Sequence, residues 1–87
     1  MNRWAYGEDE LAVLAAAYAF GLARNHPFAD GNKRIAWLSA RLFLQLNGHD
    51  LTFEPADAIA AMLRLAAGEL SEEEMADWFR QRLARLP

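Results

Sequence analysis

The spacing of apolar residues along the chain predicts four helices. The first is expected at residues 8–24, where apolar side chains recur every three or four positions. Acidic residues at 8–10 open this segment, and negative charge is favoured at the positive end of a helix. Its apolar positions are Leu11, Leu14, Ala15, Tyr18 and Leu22. The alanine-rich middle would let a neighbouring helix approach closely.

A second helix is expected at residues 32–47, with Gly48 as a left-handed stop. Its apolar residues leave little polar face and are Ile35, Ala36, Trp37, Leu38, Ala40, Leu42, Phe43, Leu44 and Leu46. A helix that is apolar nearly all round is usually buried. The sequence therefore predicts that this helix is the buried centre of the domain and holds the preceding loop rigidly.

A third helix is expected to begin at Pro55, because proline suits the first helical position. Gly68 is expected to end it. The predicted inner stripe consists of Ala56, Ile59, Ala60, Leu63, Ala66 and Ala67.

The fourth helix has the clearest start in the chain. Ser71 and Glu74 have the spacing of a capping box, and Leu70 and Met75 have that of a hydrophobic staple. One apolar face is predicted from Met75, Phe79, Leu83 and Leu86. The predicted fold is all-α, a compact helical bundle formed by a single domain over residues 1–87.

Composition narrows the class of protein. The chain has 87 residues, enough for one domain, and is 54% hydrophobic, as expected for a globular protein. A net charge of −3 argues against nucleic acid as the main partner. With no cysteine the chain can form no disulfide, and no apolar run reaches the ~18–20 residues of a membrane span. The cytoplasm is the expected location.

The segment His26–Arg34, which reads HPFADGNKR, gathers an imidazole, a carboxylate, an amide and two cations before an apolar helix. The N-terminus of a helix attracts anions because its first N–H groups lack intrahelical acceptors. We expect the backbone N–H groups of Gly31, Asn32 and Lys33 to form an anion cradle. Lys33 and Arg34 add cations beside it, and cations at this end of a helix otherwise oppose its dipole. The segment has the composition of a phosphate-binding site.

Individual roles follow from the side chains of this segment. His26 is the strongest candidate for a general base, since imidazole titrates near neutral pH, although it can also simply cap the first helix. Asp30 can either cap the N–H groups of the following helix or hold Mg²⁺ against nucleotide phosphates. Pro27 is expected to fix the backbone of the loop, and Phe28 to anchor the loop in the core.

Five further residues are candidates for the site by their chemistry. Arg41, two turns further along, can also reach the site. His49 is expected to be a surface loop residue, because pairing it with His26 in a metal site needs ligands that the sequence does not nominate. Trp4, Trp37 and Trp78 are expected to be core or interface aromatics rather than nucleobase stackers.

The segment at 26–34 resembles the signature of the Fic/Doc superfamily, and within it the death-on-curing (Doc) branch. Fic enzymes carry H-P-F-x-x-G-N-G-R-x-x-R, and Doc-like toxins carry H-x-F-x-D/N-A/G-N-K-R. Lys33 stands where Fic enzymes have their second glycine, and Trp37 stands where they have the last arginine. Both differences favour Doc. Doc-like proteins generally have some tens of residues upstream, which form helices and a flap, and this chain resembles them from the end of the flap onward.

The resemblance implies a kinase-type transferase that uses ATP and Mg²⁺. Doc toxins phosphorylate a threonine of elongation factor Tu and so halt translation. By this resemblance His26 is the base, Asp30 binds Mg²⁺, and Asn32, Lys33 and Arg34 hold phosphates. Lys33 is the family feature associated with phosphoryl transfer rather than nucleotidyl transfer. Protein AMPylation of the Fic type is the alternative reaction.

The resemblance also implies a cognate antitoxin. Residues 71–74 lack the inhibitory-helix pattern of self-restrained Fic proteins, so a separate antitoxin peptide or helix is the expected inhibitor. A non-enzymatic alternative is a shortened relative that binds an antitoxin or itself, as a homo-oligomer. A DNA-binding helix-turn-helix protein is disfavoured by the acidic balance.

Overall fold

The computed structural model describes residues 7–24 and 29–87 of the chain, with side chains described from Lys33 onward in the second range. This part of the chain contains four helices and two short strands: α1 (Glu8–Arg24), α2 (Ala29–Leu46), β1 (His49–Leu51), α3 (Pro55–Ala66), α4 (Glu72–Arg82) and β2 (Leu83–Arg85). The all-α prediction is confirmed, and the predicted bounds of the first helix match α1. None of the described helices is long and apolar enough to cross a membrane.

The central helix is α1, which packs against α2, α3 and α4. Its buried residues are Leu11, Ala12, Ala15, Ala16, Ala19 and Ala23. Alanine has only a methyl side chain, so three helices can approach the α1 backbone closely. α1 therefore contributes mainly small residues to the core, against which larger side chains of the other helices, such as Phe79, are buried.

The prediction that the second helix is the buried centre is wrong. Of the described side chains of α2, those fully buried are Ala36, Ala40 and Leu44. They form a single stripe that faces α1, whereas large aliphatic side chains on the opposite side are exposed. Apolar character all round a helix shows only what the helix can bury, and burial also requires neighbours on every side.

The inner stripe of α3 also differs from the prediction. The buried residues are Ala58, Ala61, Met62 and Leu65. Ile59 and Leu63 of the predicted stripe are exposed to 62% and 49%. Both stripes are apolar and both have helical spacing, so periodicity alone could not choose between them. The exposed stripe instead lines a groove beside α2.

The two short strands were not predicted. The fourth helix ends at Arg82, and Leu83 continues in extended conformation as β2. β2 pairs antiparallel with β1, with Asp50 opposite Ala84. The predicted face of the fourth helix therefore ends at Phe79, which is fully buried.

Three local signals are confirmed. Ser71 Oγ accepts a hydrogen bond from the Glu74 N–H at 3.0 Å, and the Glu74 carboxylate accepts one from the Ser71 N–H at 2.8 Å, which completes the capping box. Gly48 and Gly68 end their helices with φ of 79° and 81°. These positive φ values favour glycine because it has no Cβ.

Candidate groove at the start of the second helix

The motif segment enters α2 earlier than predicted. α2 begins at Ala29 rather than at residue 32, so Asp30, Gly31 and Asn32 belong to its first turn. The N–H groups without intrahelical acceptors are those of the first turn. Gly31 is among them, whereas the N–H of Lys33 lies in the second turn, so the free N–H groups lie slightly upstream of the predicted cradle.

Several predicted site residues lie outside the described residues. These are His26, Pro27 and Phe28, together with the side chains of Asp30 and Asn32. Their roles as base, loop anchors, metal ligand and phosphate ligand stay predictions. The site can be described from Lys33 onward.

A groove of about 360 Å³ runs between α2 and α3 just after the first turn of α2. Its α2 wall consists of Lys33, Arg34 and Trp37, and its α3 wall of Ala58, Ile59, Met62 and Leu63. Both charged residues that line this groove are cations, and the α3 wall is wholly apolar. The groove therefore suits an anionic ligand that also carries an apolar part.

The cations lie where a helix tolerates them least. Lys33 is half-buried and Arg34 is exposed, within the first six residues of α2. The positive end of the helix dipole repels a cation and attracts an anion. An anion bound here would relieve this repulsion and would bond to the free N–H groups of the first turn.

Trp37, on the α2 wall of the groove, packs against two other rings. Its ring meets Phe53 edge-on, with centroids 5.0 Å apart, and Trp78 edge-on at 6.0 Å. Edge-to-face contacts of this kind restrict the ring to one orientation. Trp37 and Trp78 are partly buried and pack against the core, as predicted, and Trp4 lies outside the described residues.

Arg41 forms an ion pair with Asp50, and its guanidinium lies 5.9 Å from the centroid of the Trp37 ring. Its Nε donates to Asp50 Oδ1 at 3.0 Å and its Nη2 to Oδ2 at 2.8 Å, a bidentate ion pair between α2 and β1. Gln45 Nε2 and the Leu51 N–H also donate to the same carboxylate. Arg41, with its hydrogen bonds, lowers the pKa of Asp50 to about 2, against the opposing effect of desolvation. Arg41 therefore has a structural role in the described part of the chain, and its reach to the motif site stays a prediction.

His49 is not a surface residue, contrary to the prediction. It is 7% exposed in β1, where its Nδ1 lies 3.0 Å from the Asn47 carbonyl oxygen. Its Nε2 lies 3.5 Å from Glu8 Oε2 and has no hydrogen-bond partner among the residues that the structure describes. The strand pairing that buries His49 was not visible in the sequence. Within the described side chains, no three His, Cys, Asp or Glu residues cluster as metal ligands.

Comparison with known proteins agrees with the motif. The family model described as "Fic/DOC family" matches residues 1–44. A relative named "Protein kinase doc", from Escherichia phage P1, is 39% identical over 80 residues, which cover 91% of this chain and 63% of the phage protein. A second, "Toxin Doc" from Mycolicibacterium smegmatis, is 51% identical over 49 residues, which cover 53% of this chain and 38% of that protein.

The chain thus spans less than two thirds of the length of each of these relatives. The phage relative matches nearly the whole chain, and the family model matches the half that contains the motif segment, α1 and most of α2. The chain belongs to the Fic/DOC family, in its Doc branch.

Proposed function

We propose that this chain is the core of a Doc-like toxin of a bacterial toxin–antitoxin pair, and that it transfers phosphate from ATP to a hydroxyl group of a translation factor. The observation that carries the proposal is the 39% identity to a protein kinase over 91% of the chain. The groove supports it, because two cations and an apolar wall suit the phosphates and the base of a nucleotide.

The proposed roles of the residues follow from their positions in the motif segment. Lys33 and Arg34 hold the phosphates, together with Asn32 and the free N–H groups around Gly31. Phosphoryl transfer depends mainly on positioning and on charge stabilisation, which these groups supply. His26, just upstream of α2, takes the proton from the attacking hydroxyl.

Asp30 is the residue that would hold Mg²⁺. Asp30 belongs to the first turn of α2, next in sequence to the proposed phosphate-binding residues, and magnesium in such sites commonly binds one or two carboxylates plus substrate phosphates. When bound, the ion neutralises phosphate charge. The donor chemistry of this turn fits that ion.

The target and partner follow from the proposed family function. The hydroxyl acceptor is a threonine of elongation factor Tu, whose modification arrests translation in the cytoplasm. The inhibitor is an antitoxin peptide or helix encoded separately. Neither partner needs a basic surface, in keeping with the net charge of −3.

The test uses ATP labelled separately at the γ and α phosphates, with purified elongation factor Tu as acceptor. We expect γ label on the acceptor, lost in His26→Ala and kept in Gln81→Ala, an exposed control on α4. Transfer of α label alone would reject the kinase and establish protein AMPylation. No transfer of either label by a folded chain, as judged by circular dichroism, would reject catalysis and favour a binding module.

A further inference from the structure

The outer face of α2 carries an exposed aliphatic ridge. This ridge, called the α2 ridge below, consists of Ile35, Leu38, Leu42 and Leu46, which are exposed to 53%, 58%, 55% and 76%. It lies opposite the buried stripe that packs on α1. Its four residues lie three, four and four positions apart. Aliphatic residues three or four positions apart line one side of a helix, and such a side can pack against a second helix.

The four ridge residues themselves are uncharged, and Arg34 borders the ridge near its start. Ser39 and Gln45, which lie beside the ridge, are uncharged. A copy of the same ridge offers side chains of the same size at the same spacing, so the surface is complementary to itself. Such self-complementarity is what a two-fold dimer requires.

The charges at the ends of α2 favour an antiparallel arrangement. Among the four helices that the structure describes, α1, α3 and α4 have a basic residue in the last turn, whereas α2 has none. α2 instead carries Arg34 near its start, the end where its own dipole opposes a cation. An antiparallel copy brings Arg34 close to the negative C-terminal end of the partner helix. A parallel copy would place the two Arg34 side chains together.

We propose that two copies of this chain associate through the α2 ridge, with the helices antiparallel and Leu38 of each copy packed on Leu42 of the other. The exposed parts of eight aliphatic side chains amount to on the order of 1,000 Å² for the pair, at the lower end for specific interfaces. An interface of this size is typical of weak or transient association. The dimer does not rest on the proposed catalytic activity.

Sedimentation velocity from low micromolar to near millimolar concentration tests the association. The chain sediments as a monomer at the low end and as a dimer at the high end. Leu38→Glu combined with Leu42→Glu abolishes the dimer. The matched control, Ile59→Glu combined with Leu63→Glu, changes two similarly exposed aliphatic residues on α3 and leaves the dimer intact.

The chain has no cysteine, so engineered thiols report the geometry. A mixture of Leu38→Cys and Leu42→Cys chains gives more disulfide-linked dimer than either variant alone, because the two positions face each other only in the antiparallel pair. Equal linking of Leu38→Cys chains by themselves would overturn the antiparallel arrangement. A chain that stays monomeric throughout leaves the ridge to another occupant, such as a helix of a different protein, and overturns the proposal. Loss of the dimer in the α3 control overturns the ridge as its interface.

Discussion

Arg41 and Asp50 form a bidentate ion pair, with donor–acceptor distances of 3.0 and 2.8 Å, that ties the middle of α2 to β1. The same carboxylate also accepts a hydrogen bond from the N–H of Leu51, at 2.7 Å. Because β1 pairs with β2, this one carboxylate connects α2 to the end of the chain. The pair is therefore a structural joint rather than part of the groove.

Replacing this carboxylate should destabilise the fold. We expect Asp50→Asn to lower the free energy of unfolding by about 1–2 kcal/mol, because Arg41 loses its charged acceptor in a partly buried place. Urea unfolding followed by circular dichroism measures the change. Glu69→Gln, which neutralises an exposed carboxylate in the turn after α3, should change it by less than about 0.5 kcal/mol. Equal effects of the two variants would count against the structural joint.

The same ion pair should make stability depend on pH. The pKa of Asp50 is lowered from 3.8 to about 2 in the folded chain, chiefly by the hydrogen bonds from Arg41. A lowered folded-state pKa adds stability that is fully present above the unfolded pKa and is lost as pH falls through the folded pKa. The difference between wild type and Asp50→Asn should therefore be constant from pH 7 to about 5 and shrink from about pH 4 towards pH 2. Urea midpoints at pH 7, 5, 4 and 3 measure it. A difference that grows on acidification contradicts the assignment.

The start of α4 offers a test of capping. Ser71→Ala removes the hydroxyl that accepts from the Glu74 N–H, and we expect it to cost about 1 kcal/mol of unfolding free energy. The backbone N–H of Ser71, with its hydroxyl, lowers the pKa of Glu74, so loss of the box should raise that pKa towards its ordinary value. Ser39→Ala, within α2, is the matched control and should be neutral or slightly stabilising. If the two variants have the same free energy of unfolding, the cap does not stabilise the helix.

Local signals were predictable from the sequence because they depend on near neighbours. The capping box needs only Ser71 and Glu74, and the bounds of α1 need only the acidic start and the apolar period. The motif segment likewise located the start of α2 to within three residues. Interactions between residues a few positions apart can be recognised directly from the sequence.

The remaining features depend on distant partners. The sequence predicts a surface position for His49, because the pairing of β1 with β2, 34 residues further on, is not encoded in either three-residue strand alone. The buried stripe of α3 was misplaced because two apolar stripes competed. In α2 the apolar pattern predicts burial, whereas only the neighbouring elements decide which face is covered. The sequence does not predict the groove for the same reason, because Ile59 and Lys33 line one groove only in the folded chain.

Lys33 is the only lysine in the chain, which makes the groove open to a direct binding experiment. Reductive methylation with ¹³C-formaldehyde labels its ammonium group and the chain's α-amine, and keeps the positive charge. We expect the Lys33 methyl signal to shift on titration with ATP and Mg²⁺.

Ile59→Glu, which adds an anion to the α3 wall of the groove, should weaken binding by about tenfold through charge repulsion. Val13→Glu is the matched control, because Val13 is a half-exposed aliphatic residue of α1 outside this groove, and it should bind as the wild type does. An unchanged Lys33 signal at millimolar ATP, in a chain whose folding is verified by circular dichroism, would remove the groove as the nucleotide site.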